Sequence, residues 1–256
     1  MQTPFLRVYS HRFSQFLLSG GLRLESVSWL ILSVAVLTSV PASAEETQPQ
    51  DEAGFVSLFD GQTLEGWIGA VQGYCVEDGT ITCIPEKGGN LMTARQYADF
   101  ILKFEFKLDP GANNGIGLRV PLGAHAATQG MEIQILDDTA EQYAKLHDYQ
   151  YHGSVYGVIP ARRGFLRPVG EWNQQEIRCI GKEVAVILNG ETIVQGNLDE
   201  ASQPMTLDGK EHPGLQRTQG HIGFLGHGTR VQFRKVRIKE ITPAVEVPAA
   251  DSPASE

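Results

Sequence analysis

The chain is short of several features by which common functional classes are recognised. Lys and Arg number 21 against 30 Asp and Glu, so the formal net charge at pH 7 is −9. A protein that binds nucleic acid or an anionic membrane surface needs an excess of basic residues to attract phosphate groups. We therefore expect neither nucleic acid nor a membrane surface as a partner.

Long apolar runs are also scarce. The run from Trp29 to Val40 is shorter than the ~20 residues that a helix needs to span a bilayer, which disfavours an uncleaved anchor. Arginines precede this run, and Ala42-Ser43-Ala44 supplies the small residues of a signal cleavage site. We predict a secretory signal at 1–44, a linker at 45–52, and a mature protein that is secreted or periplasmic and free of the membrane.

Cysteine is rare, and the positions of the three cysteines argue against a disulfide. Cys75 and Cys83 flank Asp78-Gly79, a two-residue hairpin signal. The register set by this turn pairs Tyr74 with Cys83 and leaves Cys75 on the opposite face. Cysteines on opposite faces of a hairpin cannot be bridged, so we predict free thiols. Their spacing matches no metal motif.

The sequence also lacks a long amphipathic helix, internal repeats and a glycine-rich phosphate loop. Short apolar runs separated by glycine occupy 101–108, 115–120, 131–136, 176–179, 184–188, 191–194, 221–225 and 231–238. Runs of this length with alternating polarity are typical of strands. We predict an all-β domain over 53–242, an antiparallel two-sheet sandwich or jelly roll. The tail at 243–256 is rich in Pro, Ala, Ser and acid, and is predicted to be disordered.

Two local patterns fix details of this sandwich. Asn189-Gly190 joins two apolar runs and predicts a two-residue hairpin turn. In the last run, apolar residues at 231 and 233 are followed by apolar residues at 236 and 238, a change of phase. A β-bulge near Arg234-Lys235 would restore a single apolar face.

Polar residues on two strands point to a ligand site. In an alternating strand, one face would carry Ile116, Leu118, Val120, Met131, Ile133 and Ile135. The opposite face would carry Glu132, Gln134 and Arg119 beside Gly115 and Gly117. Because glycine has no side chain, these two positions leave a hollow. We expect the carboxyl, the amide and the guanidinium to meet in one cavity while the apolar residues enter the core.

Several motifs together resemble one known family. They are F-D-G-x-T-L-x-G-W at 59–67, N-x-G-I-x-x-R at 113–119, E-x-Q-I-L-D at 132–137, G-S-V-Y-G at 153–157, G-E-W-N at 170–173, L-N-G at 188–190, H-G at 227–228 and V-R-I-K-E at 236–240. In this order they resemble the 3-keto-disaccharide hydrolase family over nearly the whole predicted domain. The resemblance implies a concanavalin-like jelly roll, export, and action on a saccharide already oxidised at C3.

Such a substrate suggests a chemical role for the polar residues. A ketone at C3 acidifies the hydrogen on C2, so a base can remove it and the resulting enolate can expel the group on C1, after which water adds. This path needs a base, a cation near the ketone oxygen and an acid for the leaving group. Our hypothesis assigns them to Glu132, Arg119 and a histidine, His152 or His227. The predicted substrate-binding residues are Asn114, Gln134, Tyr156 and Trp172.

Two other functions fit the same residues. A retaining glycosidase needs two carboxylates about 5–5.5 Å apart, and Gln134 stands where the second would be. A glycan-binding module of the same fold could use these polar groups without catalysis.

Individual residues also have structural alternatives. Arg119 could form an ion pair with Glu132, the histidines could be loop residues, and Trp172 could belong to the core. His147, Asp148 and His152 could be metal ligands, but their loop spacing is unspecific, so no cofactor is predicted and a divalent metal stays open. His212 and His221 are predicted to lie on the surface.

Overall fold

The structure is a computed structural model, and it describes residues 53–242. The predicted signal, linker and tail lie outside the described residues. Two antiparallel sheets pack face to face, which confirms the predicted two-sheet sandwich. Within 53–242, no helix is long and apolar enough to cross a membrane.

Strands make up most of the described domain. In chain order they are β1 (Val56–Ser57), β2 (Trp67–Gly69), β3 (Tyr74–Glu77), β4 (Thr80–Cys83), β5 (Gly89–Tyr97), β6 (Phe100–Leu108), β7 (Asn113–Val120), β8 (Met131–Leu136), β9 (Trp172–Ile180), β10 (Glu183–Leu188), β11 (Glu191–Asn197), β12 (Gly220–Gly226) and β13 (Val231–Glu240). Two short helices, α1 (Ala126–Gln129) and α2 (Leu198–Ala201), lie in connections. Single 3-10 turns occupy Val71–Gly73, Glu141–Tyr143, Asp148–Gln150 and Pro213–Gln216.

The larger sheet has the order β11-β10-β9-β6-β13-β4-β3, with β1 paired to β13. The smaller, five-stranded sheet has the order β2-β5-β12-β7-β8. Because sequence neighbours β7 and β8 pair at one edge of the smaller sheet, the two motifs that carry the predicted site lie side by side.

The core fills the space between the sheets. Phe104 and Phe106 of β6 and Phe233 of β13 face it from the larger sheet, all nearly inaccessible to solvent. Phe224 of β12 stacks on Phe233 with ring centroids 3.9 Å apart, and Trp67 stacks on Phe224 at 5.1 Å. Burial of each such side chain stabilises the fold by about 1.5–3 kcal/mol.

Both predicted hairpin turns are present. Asn189 and Gly190 have φ of 52° and 93°, the left-handed pair that a two-residue turn requires. The turn between β3 and β4 sets the expected register, with Tyr74 opposite Cys83. Cys75 and Cys83 are free, which confirms that prediction.

The predicted bulge in β13 is also confirmed. The register of β13 against β6 shifts between Arg234 and Arg237, and Lys235 has φ of 52°. The extra residue returns Val236 and Ile238 to the core.

A second bulge, in β7, contradicts the expected alternation. His221 of β12 pairs with Val120 and Gly223 pairs with Gly117, so a single β12 residue opposes Leu118 and Arg119 together. Arg119 has φ of 51°, and after this bulge the side chains of β7 point to the opposite faces from those expected. Val120 therefore leaves the main core, contrary to prediction. It joins a separate buried apolar cluster on the other face of the sheet, with Met92, Ala126 and Leu225.

Candidate active site

The candidate site lies on the face of the smaller sheet that points away from the larger sheet. In the β7–β8 pairing, Gly117 opposes Glu132 and Gly115 opposes Gln134. Directly opposed residues of antiparallel strands share a face, so the carboxyl and the amide stand over a glycine floor. Ile133 and Ile135 point into the core, as predicted.

Gly115 provides the space in which the Glu132 carboxyl lies. A Cβ atom at position 115 would overlap Oε1 of Glu132 and would approach its Cδ and Cγ at 2.8 Å. The carboxyl is therefore folded across the glycine of the neighbouring strand. Only 8% of Glu132 remains exposed.

Burial has a large effect on the acidity of Glu132. Desolvation raises the pKa of this carboxyl to about 7, and no charged neighbour of either sign contributes to the shift. Within residues 53–242, no group forms an ion pair or a hydrogen bond with the carboxyl. A carboxyl with a pKa near 7 and no partner can both accept and return a proton at neutral pH.

Gln134 and Asn113 extend the polar floor beyond Glu132. Nε2 of Gln134 donates to Oδ1 of Asn113 at 3.1 Å. Thr229, in the loop between β12 and β13, accepts from the Asn113 N–H at 2.7 Å and donates to its carbonyl at 2.8 Å. These bonds fix Asn113, which the sequence analysis did not single out although it opens a family motif.

Tyr156 borders Glu132 on the outer side of β8. Its N–H donates to the carbonyl of Glu132 at 2.9 Å, and the N–H of Gln134 donates to the carbonyl of Ser154 at 3.0 Å. The segment at 153–156 therefore pairs with β8 and places Tyr156 opposite Glu132. The Tyr156 hydroxyl accepts from Nε2 of Gln150 at 2.8 Å, so its own proton is available to a ligand.

His227 follows β12 directly. Leu225, two residues earlier, lies on the site face, and continued alternation would carry His227 to the same face. His227 is exposed, yet desolvation by the surrounding protein lowers its pKa from the ordinary value. A role for this neutral imidazole stays a prediction.

Arg119 does not face Glu132, so the predicted pairing of the two is wrong. Its guanidinium donates from Nε to the carbonyl of Ala98 at 3.0 Å and from Nη1 to the carbonyls of Gly181 at 2.9 Å and Arg217 at 3.1 Å. Nη2 donates to Oδ1 of Asp99 at 2.8 Å. The β7 bulge turned the side chain away from the glycine floor. Arg119 ties several chain segments together instead of binding substrate.

His152 also lies away from the site face, between the two sheets. Its ring stacks on Phe106 with centroids 5.0 Å apart, and Nδ1 accepts from the N–H of Leu136 at 3.3 Å. The ring proton therefore sits on Nε2, which donates to Oε1 of Gln175 at 3.1 Å. Burial lowers the pKa of His152 to about 3. The predicted role as an acid in the pocket is contradicted, because this neutral ring is packed in the interior.

Two predicted substrate-binding residues are elsewhere as well. Asn114 is fully buried on the core face, opposite Ile135, and its Oδ1 accepts from the N–H of Gly115 at 2.9 Å. Trp172 belongs to the larger sheet. Its ring lies between the cations of Lys107 and Arg234, at 5.0 Å and 3.9 Å from its centroid. Neither side chain reaches Glu132, because each belongs to a different face of the sandwich.

Two further histidines differ from their predicted positions. His212 and His221, predicted on the surface, are both buried. His212 contacts the carbonyl of Ala127 at 3.0 Å and the carboxylate of Asp208 at 3.1 Å. A pocket of about 410 Å³ lies against this histidine within the 202–216 segment. Within 53–242, no cluster of three or more His, Cys, Asp or Glu is placed to hold a metal ion.

Several known proteins resemble this chain over most of its length. A Bacteroides thetaiotaomicron protein named 3-keto-disaccharide hydrolase is 26% identical over 231 residues, which cover 75% of this chain and 80% of that protein. A crystal structure from Parabacteroides distasonis, of a protein proposed to be a glycosyl hydrolase, superposes with a TM-score of 0.65 at 27% identity. It covers 73% of this chain and 99% of its own.

A second Parabacteroides distasonis structure, also of a proposed glycosyl hydrolase, gives a TM-score of 0.63 at 25% identity, over 74% of this chain and 94% of its own. The family model described as the 3-keto-alpha-glucoside-1,2-lyase-like domain matches residues 54–239, which include every strand described above apart from the last residue of β13. The family predicted from the sequence motifs is thus confirmed: the chain belongs to the family of 3-keto-alpha-glucoside-1,2-lyase-like domains.

Proposed function

We propose that this protein is an enzyme that cleaves the glycosidic bond of 3-keto-glycosides, 3-keto-disaccharides among them, with Glu132 as the group that moves the proton. The family match and the name of the Bacteroides relative support the substrate class. The observation that carries the proposal is the Glu132 carboxyl, which has no ion pair or hydrogen bond among residues 53–242 and whose burial raises its pKa to about 7.

In the proposed reaction, the Glu132 carboxylate removes the hydrogen on C2. The electrons of that C–H bond form an enolate with the C3 ketone. The enolate then expels the oxygen on C1, which leaves with a proton, and a double bond forms between C1 and C2. Water then adds a hydroxyl to C1 and returns its second proton to the acid that protonated the leaving group. The Glu132 carboxyl, after exchange of its proton with solvent, gives a proton to C2. The net change is hydrolysis, and Glu132 ends in its initial state.

This sequence of steps is consistent with both names found among the relatives. Elimination across C1 and C2 is a 1,2-lyase reaction, as in the description of the family. Elimination followed by hydration is a hydrolysis, as in the name of the Bacteroides protein.

Neutral donors replace the cation that we expected from Arg119. We assign stabilisation of the enolate oxygen to the second N–H of the Gln134 amide and to the neutral imidazole of His227, whose pKa is lowered by desolvation. Preorganised neutral donors in a desolvated site stabilise developing negative charge effectively. We assign donation to the leaving group to the hydroxyl of Tyr156, whose own proton is available because its oxygen accepts from Gln150.

The absence of charged neighbours disfavours the alternatives. A second carboxyl at about 5–5.5 Å, as a retaining glycosidase requires, would affect the pKa of Glu132. Desolvation alone accounts for that pKa. A glycan-binding module has no need for a partnerless buried carboxyl, since its desolvation weakens the fold.

The test follows aglycone release from 3-keto-glycosides and from their unoxidised parents, in ordinary and in heavy water. We expect release from the oxidised substrates only, with deuterium at C2 of the released 3-keto sugar beyond chemical exchange. Release without enzyme-dependent deuterium would refute elimination and favour direct displacement at C1. Turnover of neither substrate would favour the glycan-binding module.

We also propose that residues 1–44 direct export and are removed after Ala44, and that the domain at 53–242 acts in a secreted or periplasmic location. N-terminal sequencing of the protein recovered from the extracellular or periplasmic fraction tests this. A mature chain that begins at Glu45 is expected, and intact Met1 in that fraction would contradict it.

A further inference from the structure

An aromatic ridge, formed by His147, Tyr149 and Tyr156, leads from Glu132 toward solvent. The rings of His147 and Tyr149 stack with centroids 5.2 Å apart at an interplanar angle of 10°. Tyr149 meets Tyr156 edge to face, at 6.4 Å and 80°. His147 is exposed and the two tyrosines are only partly buried. The three rings are thus continuous and accessible, and the innermost one stands opposite Glu132.

Gln150 holds the ridge in place. Its Oε1 accepts from the backbone N–H of His147 at 3.0 Å, and its Nε2 donates to the hydroxyl of Tyr156 at 2.8 Å. Both ends of the amide are therefore used, one on each end of the ridge. A platform whose geometry is fixed before binding loses little entropy when a ligand packs on it.

The two sides of Glu132 differ in what they can accept. On the β12 side, the site face is filled by the buried apolar cluster of Met92, Val120, Ala126 and Leu225. On the side of the neighbouring 153–156 segment, Tyr156 and the rings beyond it are accessible. A ligand unit attached to the sugar that lies over Glu132 therefore extends toward the ridge.

We propose that the aromatic ridge is the binding subsite for the leaving group, and that the ligand it takes is a second pyranose ring. The C–H face of a pyranose packs on aromatic rings, and the exposed edges of the ridge provide such a surface for it. The assignment rests on the proposed function, since it names the unit bonded to C1 of the reacting sugar. It makes the enzyme selective for disaccharides over glycosides of small alcohols.

The test compares two substrates with the same reacting sugar, a 3-keto-disaccharide and the 3-keto form of methyl glucoside. Removing one aromatic contact worth about 0.5–1.5 kcal/mol changes binding by about 2- to 12-fold. For Tyr149→Ala we expect KM for the disaccharide to rise about tenfold while kcat and the kinetics with the methyl glucoside stay unchanged. Tyr149→Phe keeps the ring and should keep the wild-type KM. Tyr143→Ala is a matched control, because Tyr143 is a partly buried tyrosine in the same connection whose hydroxyl donates to Gly111 at 3.2 Å.

In Tyr149→Ala, an equal rise in KM for both substrates, or no rise for either, would overturn the subsite while leaving the proposed function intact. The kinetics with the 3-keto form of methyl glucoside also show whether the variant is folded.

If the wild-type protein turns over neither substrate, the proposed function fails, and calorimetry with the unoxidised disaccharide still decides the subsite. Binding that is lost in Tyr149→Ala and kept in Tyr149→Phe supports it. Undetectable binding to the wild type, or binding that the alanine variant retains, overturns it.

Discussion

Glu132 and Arg119 lie on neighbouring strands and are both almost fully buried. The sequence predicted that they would meet in one cavity, yet they differ in the number of partners that each has. The Arg119 guanidinium donates to three carbonyls and one carboxylate. The Glu132 carboxyl has no ion pair and no hydrogen bond within 53–242. One buried ionisable group has four partners, and the other has none among the described residues.

The difference supports the proposal that Glu132, and not Arg119, takes part in the reaction. The Arg119 guanidinium uses four of its five N–H groups on the protein, and its bonds join segments distant in sequence. A carboxyl desolvated without compensation weakens the fold, which indicates that a ligand or a reaction uses it. The same contrast separates the buried, bonded His152 from the exposed His227.

The largest expected effect is on turnover by Glu132→Gln. Glutamine keeps the shape of the side chain but cannot accept the C2 proton, so kcat should fall about 10²- to 10⁴-fold with little change in KM. Steady-state kinetics on a 3-keto-disaccharide measure this. Retention of more than a tenth of the wild-type kcat would show that another group is the base.

Arg119→Ala should damage stability instead of turnover. The substitution removes the guanidinium from the Asp99 carboxylate and from three carbonyls, and loss of one partner of a buried pair costs about 3–5 kcal/mol of unfolding free energy. Urea denaturation measures the loss, and the kcat of the folded fraction should stay near wild type. A stable protein with a selectively reduced kcat would return Arg119 to the active site.

Glu132→Gln should also stabilise the protein at alkaline pH. The folded-state pKa of about 7 lies above the unfolded value, so the stability that the neutral carboxyl provides is complete below the unfolded pKa and is lost as the pH rises through 7. A difference of this size is worth on the order of 3 kcal/mol. The variant should exceed the wild type by that amount at pH 9 and match it at pH 4. Parallel stability curves for the two proteins would contradict the raised pKa.

Gly115→Ala should shift the pH profile of activity. The backbone at Gly115 is not left-handed, and the overlapping atoms are the flexible end of Glu132, so the protein should fold with the carboxyl displaced. If displacement carries it toward water, its pKa falls, and the acid limb of kcat/KM moves to lower pH by about one to two units. Gly117→Ala is the matched control, because its Cβ would meet Val120 and Leu225. An unshifted profile in Gly115→Ala would show that the glycine does not set the environment of Glu132.

The last prediction concerns stability in acid. The pKa of His152 is about 3 in the folded protein, below its unfolded value, so stability is present above the unfolded pKa and is lost as the pH falls through it. The expected slope is about 1.4 kcal/mol per pH unit between roughly pH 6 and pH 3. His152→Asn retains an acceptor for the Leu136 N–H but does not titrate, so its curve should be flatter in this range. Equal slopes in the two proteins would place the acid sensitivity elsewhere.

The sequence predicted those parts of the fold that a local period or turn determines. Alternation identified Glu132 and Gln134 on one face, and Asn189-Gly190 identified its hairpin. The β13 bulge was visible because its apolar residues change phase along the chain. The β7 bulge was not visible, because Val120 is apolar in either phase. A second apolar cluster accepts its side chain, and only tertiary contacts reveal that cluster.

The residues predicted incorrectly failed for a related reason. His152 and Asn114 lie in polar, glycine-rich motifs, and sequence pattern does not distinguish a polar side chain that lines a pocket from one bonded inside the core. Trp172 has a partly exposed ring, but the pairing of β9 with β6 places it on the other sheet. Tyr149 and Gln150 carry no motif signal at all. Only their position against Tyr156 makes them candidates.

The pairing of the 153–156 segment with β8 has a consequence for solubility. β8, which carries Glu132, is the last strand of its sheet, and an unprotected terminal strand offers its backbone to other chains and promotes aggregation. The hydrogen bonds from Tyr156 to Glu132, from Gln134 to Ser154 and from Gly153 to Gln134 occupy that backbone. The segment that brings Tyr156 to Glu132 therefore also protects the strand against edge-to-edge association between molecules.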